Sequence, residues 1–184
     1  MRPNFGIQHV SPQQKMTSKD VSGMSRSAQA MALLGLQCTH PFHRDTLFLF
    51  LFALGPAVWL FMIVLFALQP NPRHAFWSPV FLSIALWQPL CEELLFRGLI
   101  QGHLLESTPK QNTWLGLSSS NLLTSCLFSL AHLANQSVSW SLLVFLPSLC
   151  FGFVRDRFGS VYPSIILHVF YNGGYFLLIG SATH

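Results

Sequence analysis

The run Trp87-Gln88-Pro89-Leu90-Cys91-Glu92-Glu93-Leu94-Leu95-Phe96-Arg97-Gly98 sets two adjacent carboxylates and a guanidinium in an otherwise apolar segment. On a helix, Glu93 and Arg97 are four residues apart and share a face, so they can pair. Glu92 lies about 100° round from Glu93 and faces elsewhere. One carboxylate held by structure beside one free to take a proton is what general-base chemistry asks for. Two polar stripes accompany the cluster. Asn121, Ser125, Ser129, His132 and Gln136 recur along one helical arc, and Ser164, His168, Tyr171, Asn172 and Tyr175 along another. The economical arrangement points both stripes and Glu92 inward at one polar cavity. The plainer alternatives are a charge cluster snorkelling to an interface, and polar residues that only glue helices together. Carboxylates have short stems, so snorkelling suits Arg97 better than it suits Glu92 or Glu93.

Charge is scarce elsewhere. Asp, Glu, Lys and Arg make up 9 % of 184 residues, against about 25 % in a soluble domain. No charged residue occurs between Thr46 and Pro72, between Gln111 and Val154, or after Arg157. Stretches of that length exclude a cytosolic enzyme or a small secreted domain and require a lipid bilayer. A charge at mid-bilayer costs about 3 kcal/mol even on lenient scales, so two of the six acids there mark a site. The net charge of +4 is scattered, which speaks against nucleic-acid binding. Cys38, Cys91, Cys126 and Cys150 show neither ligand-like nor disulfide-framework spacing.

A hydrocarbon core about 30 Å thick needs about 20 apolar residues of helix. Candidate spans are 46–69, roughly 76–100, and segments within 112–134, 138–154 and 161–180. The expected fold class is all-α: a polytopic membrane helix bundle of about five transmembrane helices around a polar intramembrane cavity. Residues 1–45 read as a polar, flexible or loosely amphipathic cytoplasmic extension without a signal-peptide pattern, and 46–180 as the transmembrane domain. Arg2, Lys15, Lys19, Arg26, Arg44, Lys110, Arg155 and Arg157 then fall on one side, which orients the N-terminus to the cytoplasm and the C-terminus outside. Depth sets one further expectation. A straight helix from Asn112 would carry His132 about 30 Å in, so the third span should begin near Ser120, with Trp114 to Ser119 along the interface.

Three motifs occur in order: Glu-Glu-x-x-x-Arg (Glu92, Glu93, Arg97), Phe-x-x-x-His (Phe128, His132) and His-x-x-x-Asn (His168, Asn172). Over Trp87 to Asn172 the chain resembles the CPBP or Abi family of intramembrane proteases, which includes the endopeptidase that trims CAAX prenylated proteins. The resemblance implies a glutamic-type peptide hydrolase in which Glu92 and His132 activate water and His168 and Asn172 stabilise the oxyanion. Glu93 would support the site with Arg97 and Phe128, or serve as a second working carboxylate. The implied partner is a membrane-anchored or lipidated protein or peptide, in addition to the bilayer, and the implied setting is a bacterial inner membrane. No cofactor is favoured; if zinc were bound, Glu92, His132 and His168 would be its ligands. Two other readings fit the same residues: a non-proteolytic bacteriocin self-immunity or partner-binding relative, and an ion or proton carrier. The absence of an internal repeat weighs against a carrier.

Overall fold

Large apolar side chains cover the outside of this bundle, among them Phe50, Leu60, Phe61, Val64 and Leu142, while Glu93, Arg97, Gln101, Asn121 and Ser148 are buried. In a bilayer that inversion is the low-energy arrangement, since lipid solvates the apolar face and polar groups must satisfy one another. The computed structural model describes residues 25–37, 41–65, 67, 78–108, 113–114 and 116–179. Within them the elements are α1 (Arg26–Leu33), a 3-10 turn (Phe42–Arg44), α2 (Thr46–Leu65), α3 (Pro79–Ser107), β1 (Thr113–Trp114), β2 (Leu117–Ser118), α4 (Ser119–His132), α5 (Val138–Phe158) and α6 (Tyr162–Leu178). The protein is an all-α integral membrane protein.

Among the described residues α2, α3 and α5 are long and apolar enough to cross a membrane. The other two candidate spans fall on shorter helices, α4 with 14 residues and α6 with 17, so α4 extends about 21 Å. The reason lies before α4. Thr113–Trp114 pairs antiparallel with Leu117–Ser118, Thr113 opposite Ser118, and Ser118 then caps α4 by accepting from the Asn121 amide. The helix therefore begins at Ser119, close to the start that the depth of His132 demands.

Helix α3 is not uniform. Ser83–Trp87 and Leu94–Gln101 have the wider π register, and Gln88–Glu93 between them is α-helical. Pro89 accounts for the first widening. In the π register the Gln88 amide reaches back to Ser83; the next partner in that register is the Ile84 carbonyl, which Pro89 cannot serve because it has no N–H. Asn172 fills the vacancy, its Nδ2 donating to Ile84 O at 3.2 Å. At the second π stretch the Gly102 amide turns to Leu99 O, and the Arg97 carbonyl accepts from Arg155 Nε at 3.1 Å.

The apolar core lies where α2, α5 and α6 meet, with Phe48, Leu51, Phe151, Val154, Phe158 and Leu167 buried together. Helices α4 and α5 approach so closely that a Cβ on Gly152 would fall 1.9 Å from Asn121 Oδ1. The polar stripe on α4 makes that contact. Asn121 Nδ2 donates to Leu149 O, Ser125 donates to Asn121 Oδ1, and Ser129 donates to the Ser141 carbonyl. These three residues were expected to face a cavity. Asn121 and Ser129 join α4 to α5 instead, with Ser125 bonded back to Asn121 within α4, because in lipid a hydroxyl or amide gains most from a carbonyl on a neighbouring helix. Ser164 does the same to Phe151 O, and Tyr171 to Leu51 O. Tyr175 lies against Trp140, and Gln136 is exposed beyond the end of α4.

Within residues 1–45, expected as a flexible or loosely amphipathic extension, 25–37 form α1 and a turn docked on the bundle; 1–24 and 38–40 lie outside the described residues. Arg155, counted as a loop charge, is buried in α5, which runs on to Phe158. Cys91, Cys126 and Cys150 are free thiols.

Asp45 accepts from the Leu47 and Phe48 amides at the start of α2 and pairs with Arg157 at 2.7 Å. Burial alone would raise its carboxyl, but the bonds from Arg157 and the two amides, with the Arg157 charge, outweigh that and hold it below the usual 3.8. A depressed folded value means that this latch contributes stability above about pH 4 and loses it as pH falls through the folded value. Asp45→Asn should therefore melt below wild type at pH 6, and the two melting points should converge in acid. A constant gap from pH 6 down to pH 2.5 would contradict the latch.

Candidate active site

The α-helical stretch Gln88–Glu93 packs against α6, and that contact builds the site. Glu93 is fully buried. Its Oε1 lies 2.9 Å from His168 Nδ1, and its Oε2 lies 3.3 Å from Arg97 Nε, one turn along α3. Arg97 NH2 continues to the Ser148 hydroxyl at 2.7 Å and the Ser148 carbonyl at 3.0 Å, which ties α3 to α5. Below Arg97, Gln101 donates to Gly152 O and to Asp156 Oδ1, and Ser118 donates to Asp156 Oδ2. The polar interior is thus one ladder along α3, with Glu93 at its upper end.

His168 is clamped on three sides. Since Nδ1 faces Glu93, the proton on that nitrogen is donated to the carboxylate, and Nε2 points to Glu92 Oε2 at 3.7 Å. The ring stacks on Phe151 at 4.7 Å, and Phe128 meets it edge-on at 5.9 Å. Glu92 differs from its neighbour as the helical offset requires. Its side chain keeps 19 % of its surface exposed, and its other oxygen accepts from Gln88 Nε2 at 2.9 Å. An exposed Gln88 and a partly exposed Glu92 on one face make that face the open side of the site.

His132 ends α4. Its Nδ1 lies 2.9 Å from Phe128 O; a carbonyl can only accept, so Nδ1 carries the proton and Nε2 keeps its lone pair. The ring lies 4.6 Å from Phe128, whose other contacts are Phe96, His168 and the Arg97 guanidinium at 5.2 Å. Phe128 is therefore the spacer that sets His132 relative to His168. Asn172 is adjacent, one of its amide hydrogens engaged by Ile84 O. The structure brings Glu92, Glu93, Arg97, Phe128 and His168 into direct contact, and His132 and Asn172 join through Phe128 and the Ile84 carbonyl.

Reading the sequence alone missed Gln88, Ser148, Phe151 and Arg155. A helical wheel places Gln88 one turn before Glu92 and was sufficient to find it. The other three lie far from Glu92 in sequence and carry no local signal.

A model of the Type II CAAX prenyl endopeptidase Rce1-like family matches residues 74–174, just over half the chain. The protein belongs to this family. The match spans all three motifs and begins after α1 and α2. No curated protein and no solved structure matches the chain. For zinc, the donors expected from the sequence are Glu92, His132 and His168. Among the described residues no three His, Cys, Asp or Glu side chains gather into a group that could hold a metal ion. Both ring nitrogens of His168 face carboxylates, and Nδ1 of His132 faces a carbonyl. Among the described residues these donors do not gather into a zinc site.

Proposed function

We propose that this CAAX-protease-like protein is an intramembrane endopeptidase, hydrolysing a peptide bond of a membrane-anchored or lipidated substrate with water activated by Glu92 and His132. The observation that carries the reading is the asymmetry of the two carboxylates. Glu93 is buried with both oxygens engaged, and Glu92 is partly exposed beside His168. The engaged carboxylate orients the histidine, and the exposed one is free to receive a proton.

In this mechanism a water at the open face loses a proton to Glu92, assisted by the free Nε2 of His132, and its oxygen bonds to the scissile carbonyl carbon. The carbonyl oxygen becomes an oxyanion. The second amide hydrogen of Asn172, and His168 when its Nε2 also carries a proton, supply donors to it from the side of α6 that faces α3. When the C–N bond breaks, the departing amine takes the proton from Glu92. Glu93 and Arg97 hold His168 in place and do not exchange protons with substrate. The low dielectric of the bundle interior strengthens each of these contacts. Within the same reading the protein resides in a bacterial inner membrane with its N-terminus in the cytoplasm, following the basic-residue bias.

The test uses protein purified and reconstituted in vesicles, with fluorogenic peptides carrying a prenylated C-terminal cysteine or a single apolar anchor. The anchored peptides should be cut and the same peptides without an anchor should not. Equal cutting of both, or of neither, would refute the reading. A chelator followed by metal analysis should leave both protein and rate unchanged; a rate restored only by added zinc would overturn the metal-free mechanism.

A further inference from the structure

We infer that Arg155 and the docked segment Leu33–Leu36 are positioning elements of the site, fixing the part of α3 that carries Arg97 and, through it, the Glu93–His168 pair. This segment lies outside the stretch that matches the family, 74–174. Helix α1 ends in a Schellman turn: Leu36 N–H donates to Met31 O, Gly35 N–H donates to Ala32 O, and Gly35 has φ +67°. That turn leaves the Leu33 and Leu34 carbonyls facing α3.

The two carbonyls rest on a pair of glycines one turn apart. A Cβ on Gly102 would stand 2.3 Å from Leu33 O, and one on Gly98 would stand 3.3 Å from Leu34 O. A small-xxx-small pair usually admits a neighbouring transmembrane helix; here it admits the backbone of the chain's own N-terminal turn. Two bonds fasten the turn. Val161 N–H donates to Gly35 O at 2.9 Å, and Arg155 NH2 donates to Leu33 O at 3.1 Å.

Arg155 also reaches the site helix. Its Nε donates to Arg97 O at 3.1 Å, where the Gly102 amide has turned away to Leu99. Its side chain is buried, and among the described residues it forms no ion pair. The charges of Asp156 and Glu106 act on it, and burying a guanidinium with no direct salt bridge is costly. Its planar fork spans two carbonyls on separate segments, which a point charge such as lysine cannot do. From Arg97 O the path is short: Arg97 Nε to Glu93 Oε2, 3.3 Å, then Glu93 Oε1 to His168 Nδ1, 2.9 Å. A shift of the Arg97 backbone therefore moves the histidine clamp.

The experiment compares wild type with Gly102→Ala, which drives the segment off while keeping Arg155, and with Arg155→Lys, which keeps the charge but loses the fork. Exchange of the Val161 amide reports docking, and the ring N–H resonance of His168 in labelled protein reports the clamp without any turnover. Turnover itself gives kcat and KM. Gly102→Ala should speed Val161 exchange. Both variants should shift the His168 resonance and lower kcat about 10- to 100-fold, as small misplacements do, with KM within about twofold. An unmoved His168 resonance in either variant overturns the inference, whether or not docking is lost. The kcat effect rests on the proposed reaction, and the resonance does not. If wild type cleaves nothing while the resonance still shifts, the proteolytic reading fails and the positioning role stands.

Discussion

Glu92→Gln should lower the rate of peptide hydrolysis by about 10² to 10⁴, the range for loss of a general base, and His132→Ala by a similar factor. The substitution is nearly isosteric and removes only the ability to accept a proton. Because the Glu92 side chain is partly exposed, accepting from Gln88 and lying 3.7 Å from His168 Nε2, stability should hardly change. KM should also stay close to wild type, since the proton moves only in the transition state. Kinetics on an anchored fluorogenic peptide in vesicles, beside a melting curve of each variant, provide the measurement. Both variants cutting as fast as wild type would refute the mechanism. A fall in rate matched by a fall in melting temperature would show instead that Glu92 is structural.

The second large effect concerns stability. Arg97→Met should destabilise the bundle by about 3–5 kcal/mol, because removing one member of a buried ion pair strands the other. Glu93 has no exposed surface to rehydrate, and Ser148 loses its donor with the guanidinium. Glu93→Gln with Arg97→Met should recover part of that loss, since the double variant leaves no stranded charge. Unfolding in mixed micelles by a denaturing detergent measures all three, and the double-mutant cycle isolates the pair. Additive losses would mean that the two side chains do not act as a pair. Activity adds a contrast: the double variant, even where folded, should hydrolyse slowly because His168 has lost its orienting carboxylate.

The two predictions draw on different kinds of information. That Glu92 and Glu93 face apart, and that Glu93 meets Arg97, follows from helical spacing, which is local and readable from sequence. The start of α4 near Ser120 was also legible, because depth is a length and the rise per residue is fixed. The two polar stripes were not. A serine facing a catalytic cavity and a serine bonded to a neighbour's carbonyl have the same spacing, so Asn121 and Ser129 could be assigned to cavity or to glue only once α5 was in place. Arg155 misled for a related reason: a basic residue at the end of an apolar run reads as a loop charge unless something buried needs its donors.

By itself, the sequence determined that the protein is helical and lives in a membrane, and that Glu92, Glu93 and Arg97 lie on one helix with two histidine-bearing helices to follow. Apolar runs and the energetic cost of an intramembrane charge leave no other reading. Only the tertiary structure decided how the two carboxylates divide their work: Glu93 is sealed between Arg97 and His168, and Glu92 is left at the open face. It also decided that α1 belongs to the bundle. Both outcomes depend on contacts between residues 50 to more than 100 positions apart in the chain, such as a carbonyl freed in one helix and a donor supplied by another. No local pattern encodes such pairings, because either partner alone has several ways to be satisfied.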